Sequence, residues 1–160
     1  MVGKREREPA LSSIKDRNSE ATERQFALAD PLARWQADHH NFARLLNLVE
    51  QQVDAFRADK RPDYELMRLI VYYLRHYPDR FHHPREDVAF TRLVKRDPTL
   101  QLAIARRMQE HAVIAWAGEE LLNCLDEVLA GVVIERSTLE AAAASYLVYY
   151  RYHMAAEEEQ

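Results

Sequence analysis

Four of the seven histidines in this sequence fall into a repeat that could hold metal. His39 lies 43 residues before His82, and Glu86 follows His82 by four. His111 lies 42 residues before His153, and Glu157 follows His153 by four. On a helix, residues i and i+4 share a face, so each His-x-x-x-Glu pair offers a nitrogen and a carboxylate to one point. Two such pairs, with one histidine from each of two further helices, make four imidazoles and two carboxylates. Carboxylates can bridge two cations and offset their charge, and imidazole suits iron and other borderline metals. Either pair alone says little, because glutamate is common enough here to fall at that spacing by chance. The matched halves carry the argument, and burying six such side chains together without a metal would be costly.

Other residues compete for attention. His83 with Asp87 is a shifted copy of His82 with Glu86, and the nearby Pro78 and Pro84 keep it open as a rival pair. His40, near Arg44 and Asn47, and His76, beside Arg75, are expected to be solvated. Tyr146 and Tyr150 precede His153 by one or two turns and could hydrogen-bond a metal ligand. The remaining tyrosines read as core and rim packing, and Cys124 as a small core filler. No catalytic side chain is assigned.

Helices must position these groups. Asp30-Pro31 is a helix opening, an acceptor followed by a proline whose missing N–H costs nothing there. From it Leu32, Trp35, His39, Phe42, Leu46, Val49 and Val53 recur at spacings of three and four, up to a break near Asp59 to Asp63. A second pattern runs from Asp63 through Leu66, Ile70, Leu74, Tyr77 and Phe81, with a kink expected at Pro78 and Pro84. It resumes through Glu86, Phe90 and Leu93 to Lys95. Asp97-Pro98 opens a third, with Ile104, Met108, His111, Ala115, Leu122 and Leu125, and Gly131 near its end. Ser137-Thr138-Leu139-Glu140 reads as a capping box opening the fourth, which carries Leu139, Ala143, Tyr146, Tyr150, His153 and Glu157. Short connections make this an all-α, antiparallel up-down-up-down four-helix bundle. Counted from the turns, His39 and His82 fall at one height.

Composition agrees. Gly is scarce and charged residues make up 30% of the chain, which favours helices. A net charge of −4 without a basic stripe argues against nucleic acid. Cys124 stands alone, so neither a disulfide framework nor a thiolate site is expected. No apolar run is long enough for a membrane span, and no secretory signal opens the chain, so a cytoplasmic protein is expected. Residues 1–28 read as a polar, poorly ordered arm, and 29–160 as the bundle.

Four segments, DHHNFARLL around His39, FHHPREDVAF around His82, MQEHAVIAW around His111 and YHMAAEEEQ around His153, resemble hemerythrin-like, or HHE cation-binding, domains. The resemblance spans about residues 30 to 160. It implies an oxo- or hydroxo-bridged di-iron centre, with Glu86 and Glu157 bridging, His39 and His82 on one iron, and His111 and His153 on the other. Oxygen-carrying hemerythrins have a further histidine four residues from the first on the third helix. This sequence has Ala115 on one side of His111 and Arg107 on the other, so its four-His, two-Glu set is similar to bacterial repair-of-iron-centres proteins. The apolar-Phe-Pro ending common after the last glutamate is missing here, so the final turn is expected to fray.

The implied function is a non-haem di-iron protein that binds or responds to O2, NO or peroxide, or handles iron under oxidative or nitrosative stress. No substrate pocket is legible, so turnover is not expected beyond a weak peroxidase-like or iron-centre repair activity. The alternative is a metal-stabilised signalling or interaction module without turnover. Zinc and manganese accept the same ligands, and a homodimer fits either reading.

Overall fold

The computed structural model describes residues 31–158, in a chain that divides into two compact units, 1–35 and 36–160. In the first unit the described residues are the opening of helix α1, Pro31–Arg57. The expected arm 1–28 and the Asp30 cap lie outside the described residues.

In the second unit each break expected from sequence has a physical cause on view. Helix α1 ends in a turn where Asp59 adopts φ 56°, a left-handed conformation that short polar side chains tolerate. Asp63 then caps α2, Tyr64–Tyr77, its carboxylate accepting from the Leu66 N–H at 2.9 Å. A π-turn, Pro78–His82, leads directly into α3, His83–Arg96. Pro84 has no N–H, and its ring crowds the carbonyl four residues back, so an unbroken α pattern cannot pass through it. The wider turn, in which the His83 N–H donates to the Pro78 carbonyl, carries the chain past this point. Asp97 caps a short 3₁₀ turn, Pro98–Leu100, and α4 follows over Gln101–Leu129. Gly131, at φ +81°, closes that helix as a left-handed residue should.

The last helix, α5, spans Arg136–Glu158 and corrects one expectation. Ser137 lies inside it, so the capping box is not formed. Glu140 instead accepts from the Arg136 guanidinium at 3.2 Å, and the Ser137 hydroxyl turns to Glu135.

With α2, the π-turn and α3 taken as one bent rod, four rods run alternately up and down. Phe56 meets Tyr64 near the α1–α2 turn, while Phe42 meets Tyr77 further along. Arg68 pairs with Asp126 and Arg75 with Glu119, which sets α2 against α4. Glu110 reaches His153 from α4 to α5, and Arg151 returns to Glu50 on α1.

One apolar cluster fills the interior, including Leu46, Val49, Val53, Met67, Leu74, Leu121, Leu125, Leu139 and Leu147. Phe81, Leu93 and Met108, expected on the apolar stripes, are exposed. For Phe81 the reason is the π-turn, whose extra residue shifts the phase so that His82 and His83 both turn inward.

Candidate metal centre

At the end of the bundle away from the α1–α2 and α4–α5 turns, the interior changes character. His39, His82, His83, Glu86, His111 and His153 are all buried there, and the Glu157 side chain is 9% exposed. His39 comes from α1, His82 and His83 from the π-turn and its junction, Glu86 from α3, His111 from α4, and His153 with Glu157 from α5. The structure thus brings together all six residues singled out by spacing, and adds His83.

The two glutamates lie between the imidazoles. Glu86 Oε1 is 3.0 Å from His82 Nε2 and 3.7 Å from His39 Nε2, while its Oε2 is 3.5 Å from His111 Nε2. Glu157 Oε2 is 3.4 Å from His39 Nε2 and 3.3 Å from His153 Nε2, with Oε1 3.8 Å from His111 Nε2. Glu86 therefore turns one oxygen toward His39 and His82 and the other toward His111, whereas Glu157 turns one toward His39 and His153 and the other toward His111. His39 and His82 approach nitrogen to nitrogen at 3.0 Å. Two nitrogens on one ion at right angles, each about 2.1 Å from it, would stand at about that separation.

Behind the rings a second set of carboxylates fixes their orientation. Nδ1 of His82 bonds to Asp38 at 3.1 Å, that of His111 to Asp87 at 3.0 Å, and that of His153 to Glu110 at 3.3 Å. His83 Nδ1 lies 3.2 Å from Asp79, and His39 Nδ1 lies 3.7 Å from Glu158. A carboxylate on Nδ1 keeps the proton there and leaves Nε2 as the inward, basic nitrogen, which is how histidine is presented to metals. Neither Tyr146 nor Tyr150 hydrogen-bonds one of these ligands, because both hydroxyls are buried without a hydrogen-bond partner.

Burial and neighbouring charge pull these groups in different directions. Burial alone would raise the Glu86 carboxyl, but the imidazoles of His111, His39 and His82 around it hold it well below the usual range. Burial likewise opposes charge on His111, yet Glu157 and Glu86 outweigh it and raise its pKa to about 9. His153 goes the other way: burial lowers it to about 4. His83 is lowered by burial too, with Asp79 opposing and His111 adding to the shift.

The donor set fits a cation. Glu86 Oε2, both Glu157 oxygens, and the Nε2 atoms of His111 and His153 are buried without a hydrogen-bond partner and converge on one region. Buried orphans of this kind cost free energy unless something satisfies them, and divalent ions satisfy all five at once. Two overlapping groups have donor atoms all within 4.8 Å of one another: His83, Glu86, His111 and His153 in one, and His39, His82 and Glu86 in the other. Glu86 belongs to both.

The rival pair His83 and Asp87 resolves into two separate roles. His83 enters the centre beside His82 rather than in place of it, and Asp87 turns away to hold His111. His40 is exposed, on the groove beside His39, while His76, expected to be solvated, is half-buried, stacked on Tyr72 and bonded to its carbonyl at 2.8 Å; neither belongs to the buried donor groups. Sequence reasoning missed the outer carboxylates, although a signal for them was present. Asp38, Asp87 and Glu110 are each adjacent in sequence to a central residue, namely His39, Glu86 and His111. One step along a helix turns a side chain by about 100°, which aims it behind the ring of a neighbouring helix.

Among known families, the hemerythrin HHE cation-binding domain matches residues 30–160 of the chain. No curated protein and no solved structure matches it.

Proposed function

The chain belongs to the hemerythrin HHE cation-binding domain family, and we propose that its centre holds two iron ions bridged by Glu86 and Glu157. His39 and His82 would serve one ion, and His111 and His153 the other. The observation that carries this is the split of Glu86, one oxygen facing His39 and His82 and the other facing His111. Bound iron would supply a reversible change of oxidation state and open positions for O2, NO or peroxide.

The chain's own residues do the rest. Asp38, Asp87 and Glu110 hold the imidazoles in one tautomer and make them stronger donors. Phe42 and Tyr150 pack against the rings of His82 and His83 and close the centre toward the apolar core. On the outer side a groove lined by Gln36, His39, Ala43, Met154 and Glu158 opens beside His39, wide enough for a small molecule. The proposed role is therefore sensing or binding of O2, NO or peroxide, or iron handling under such stress. No side chain set for turnover of a larger substrate accompanies the centre among the described residues.

Metal content after iron-replete expression, with an electronic spectrum in air, tests the proposal. Two irons per chain are expected, with near-ultraviolet charge-transfer bands that disappear in His82→Ala or His153→Ala. A folded, helical protein holding less than about a tenth of an equivalent of any transition metal would overturn it. Two metals that leave the spectrum indifferent to O2, NO and peroxide would favour a metal-stabilised interaction module.

A further inference from the structure

We propose that His83 is a fifth imidazole ligand, so that the two metal positions are held unequally. His83, His111 and His153 would face one ion, and His39 and His82 the other, with Glu86 common to both. The proposal rests on the two-metal reading and adds to it a ligand that the His-x-x-x-Glu spacing does not contain.

The backbone makes the addition feasible. Successive residues on an α-helix point about 100° apart, yet His82 and His83 are both turned into the interior. The π-turn Pro78–His82 ends at this pair, and the two side chains are 1% and 4% exposed. Single π-turns of this kind are frequent at functional sites. The His83 ring stands nearly perpendicular to His153 at 5.7 Å and lies against His111 at 4.2 Å and 10°, so one of these two stacked rings must turn for both to aim a nitrogen at one ion. Its donor atom lies within 4.8 Å of those of Glu86, His111 and His153.

A line of charged groups orients this ring from behind. Asp79 Oδ1 lies 3.2 Å from His83 Nδ1, which leaves Nε2 for a metal. The other Asp79 oxygen accepts from Arg75, and Arg75 donates in turn to Glu119 at 3.0 Å. Arg75 can lie across α4 because residue 118 is glycine. A Cβ there would fall 2.4 Å from Arg75 Cδ and 2.9 Å from Tyr146 Cε2. Asp79 is thus placed behind His83 much as Asp87 is behind His111 and Glu110 behind His153, at ion-pair distance and not hydrogen-bonded. A buried histidine that only filled space would not need the same carboxylate device. Ala115 and Arg107, one turn either side of His111, add no donor: Ala115 has none to offer, and Arg107 pairs with Glu110.

The test loads the full chain, labelled with nitrogen-15 histidine, with an NMR-active cadmium isotope. Five imidazole nitrogens coupled to cadmium are expected, and four, with His83 uncoupled, would overturn the proposal. Cadmium titration of His83→Ala should show one of two equivalents weakened by about a hundredfold or more. Asp79→Asn should weaken the same equivalent by about ten- to a hundredfold. Wild-type affinity at both equivalents in a folded His83→Ala protein would also overturn it. If His83→Ala fails to fold, the coupling count on the unaltered chain decides. A chain that binds no metal at all sinks the two-metal reading, whereas two metals on four imidazoles sink only the role of His83.

Discussion

Near the α1–α2 and α4–α5 turns, Val53, Met67, Leu125 and Leu139 are buried among side chains that need no partner. At the other end of the same interior, five histidines and Glu86 are buried facing one another, with Glu157 mostly covered beside them and several of their inward atoms unpartnered. Each apolar side chain removed from water contributes about 1.5–3 kcal/mol whatever its neighbours are. A buried imidazole or carboxylate contributes only if the atoms around it complete its bonding, and otherwise it costs. The comparison teaches a division of labour. The apolar end holds the bundle together, and this lets the polar end keep a donor arrangement that folding alone would not favour. Phe42, Tyr146 and Tyr150 lie between the two and separate them with aromatic rings.

The largest expected effect comes from damaging the apolar end. Leu121 is fully buried in the cluster, so Leu121→Ala should cost about 2–5 kcal/mol, from lost burial and the cavity left behind. Chemical denaturation with and without a chelator would measure it. The loss should be similar in both conditions, because Leu121 contributes through packing alone. A loss that appears only with metal present would break the division, by showing that the two ends do not act separately.

Much of this was legible in the sequence because helical periodicity and breakers are local signals. Asp63, Pro78, Asp97 and Gly131 each mark an observed boundary. The exception was the start of α5, where Ser137 and Glu140 imitate a cap but Arg136 already lies in the helix. The inward set of His39, His82, Glu86, His111, His153 and Glu157 was legible because i and i+4 share a face. His83 was legible only as a rival to His82, since the π-turn that admits both is a backbone event with no simple sequence signature beyond the two prolines. The outer carboxylates needed the structure, because which helix stands behind which ring is a matter of packing. Asp87 could not be assigned to His111 before α3 and α4 were seen side by side.

A middle-sized effect should isolate the polar end. Glu110 holds His153 Nδ1 at 3.3 Å and also accepts from Arg107 at 2.6 Å and Arg106 at 3.2 Å. Burial raises its carboxyl, but Arg107 and His153 hold it below the usual range, so it is charged at neutral pH. In Glu110→Gln the amide oxygen can still accept from the ring, but the negative charge that strengthens Nε2 as a donor is gone. Metal affinity should fall by about ten- to a hundredfold, while the denaturation midpoint in chelator barely moves. Isothermal titration and a denaturation curve would read the two quantities separately. Equal losses in both would mean that Glu110 is a packing residue and that His153 needs no orientation.

The smallest effect should come from the polar surface at the level between the two ends. Arg151 clamps α5 to α1 with both guanidinium nitrogens on Glu50, at 2.8 and 2.7 Å, and a third bond to Asn47 at 2.7 Å. The geometry is good, but both partners are accessible to water, where screening and side-chain entropy offset most of the attraction. Arg151→Ala should therefore cost less than about 1 kcal/mol and leave metal stoichiometry unchanged, although it lies two residues before His153. The sign of any salt dependence adds a check. The wild-type chain should lose this small contribution as ionic strength rises, and the variant should not. A cost above about 2 kcal/mol would mean that surface ion pairs, and not apolar burial, keep α1 against α5. His39 would then owe its place in the centre to Arg151, and the apolar end could no longer be credited with holding the donors in position.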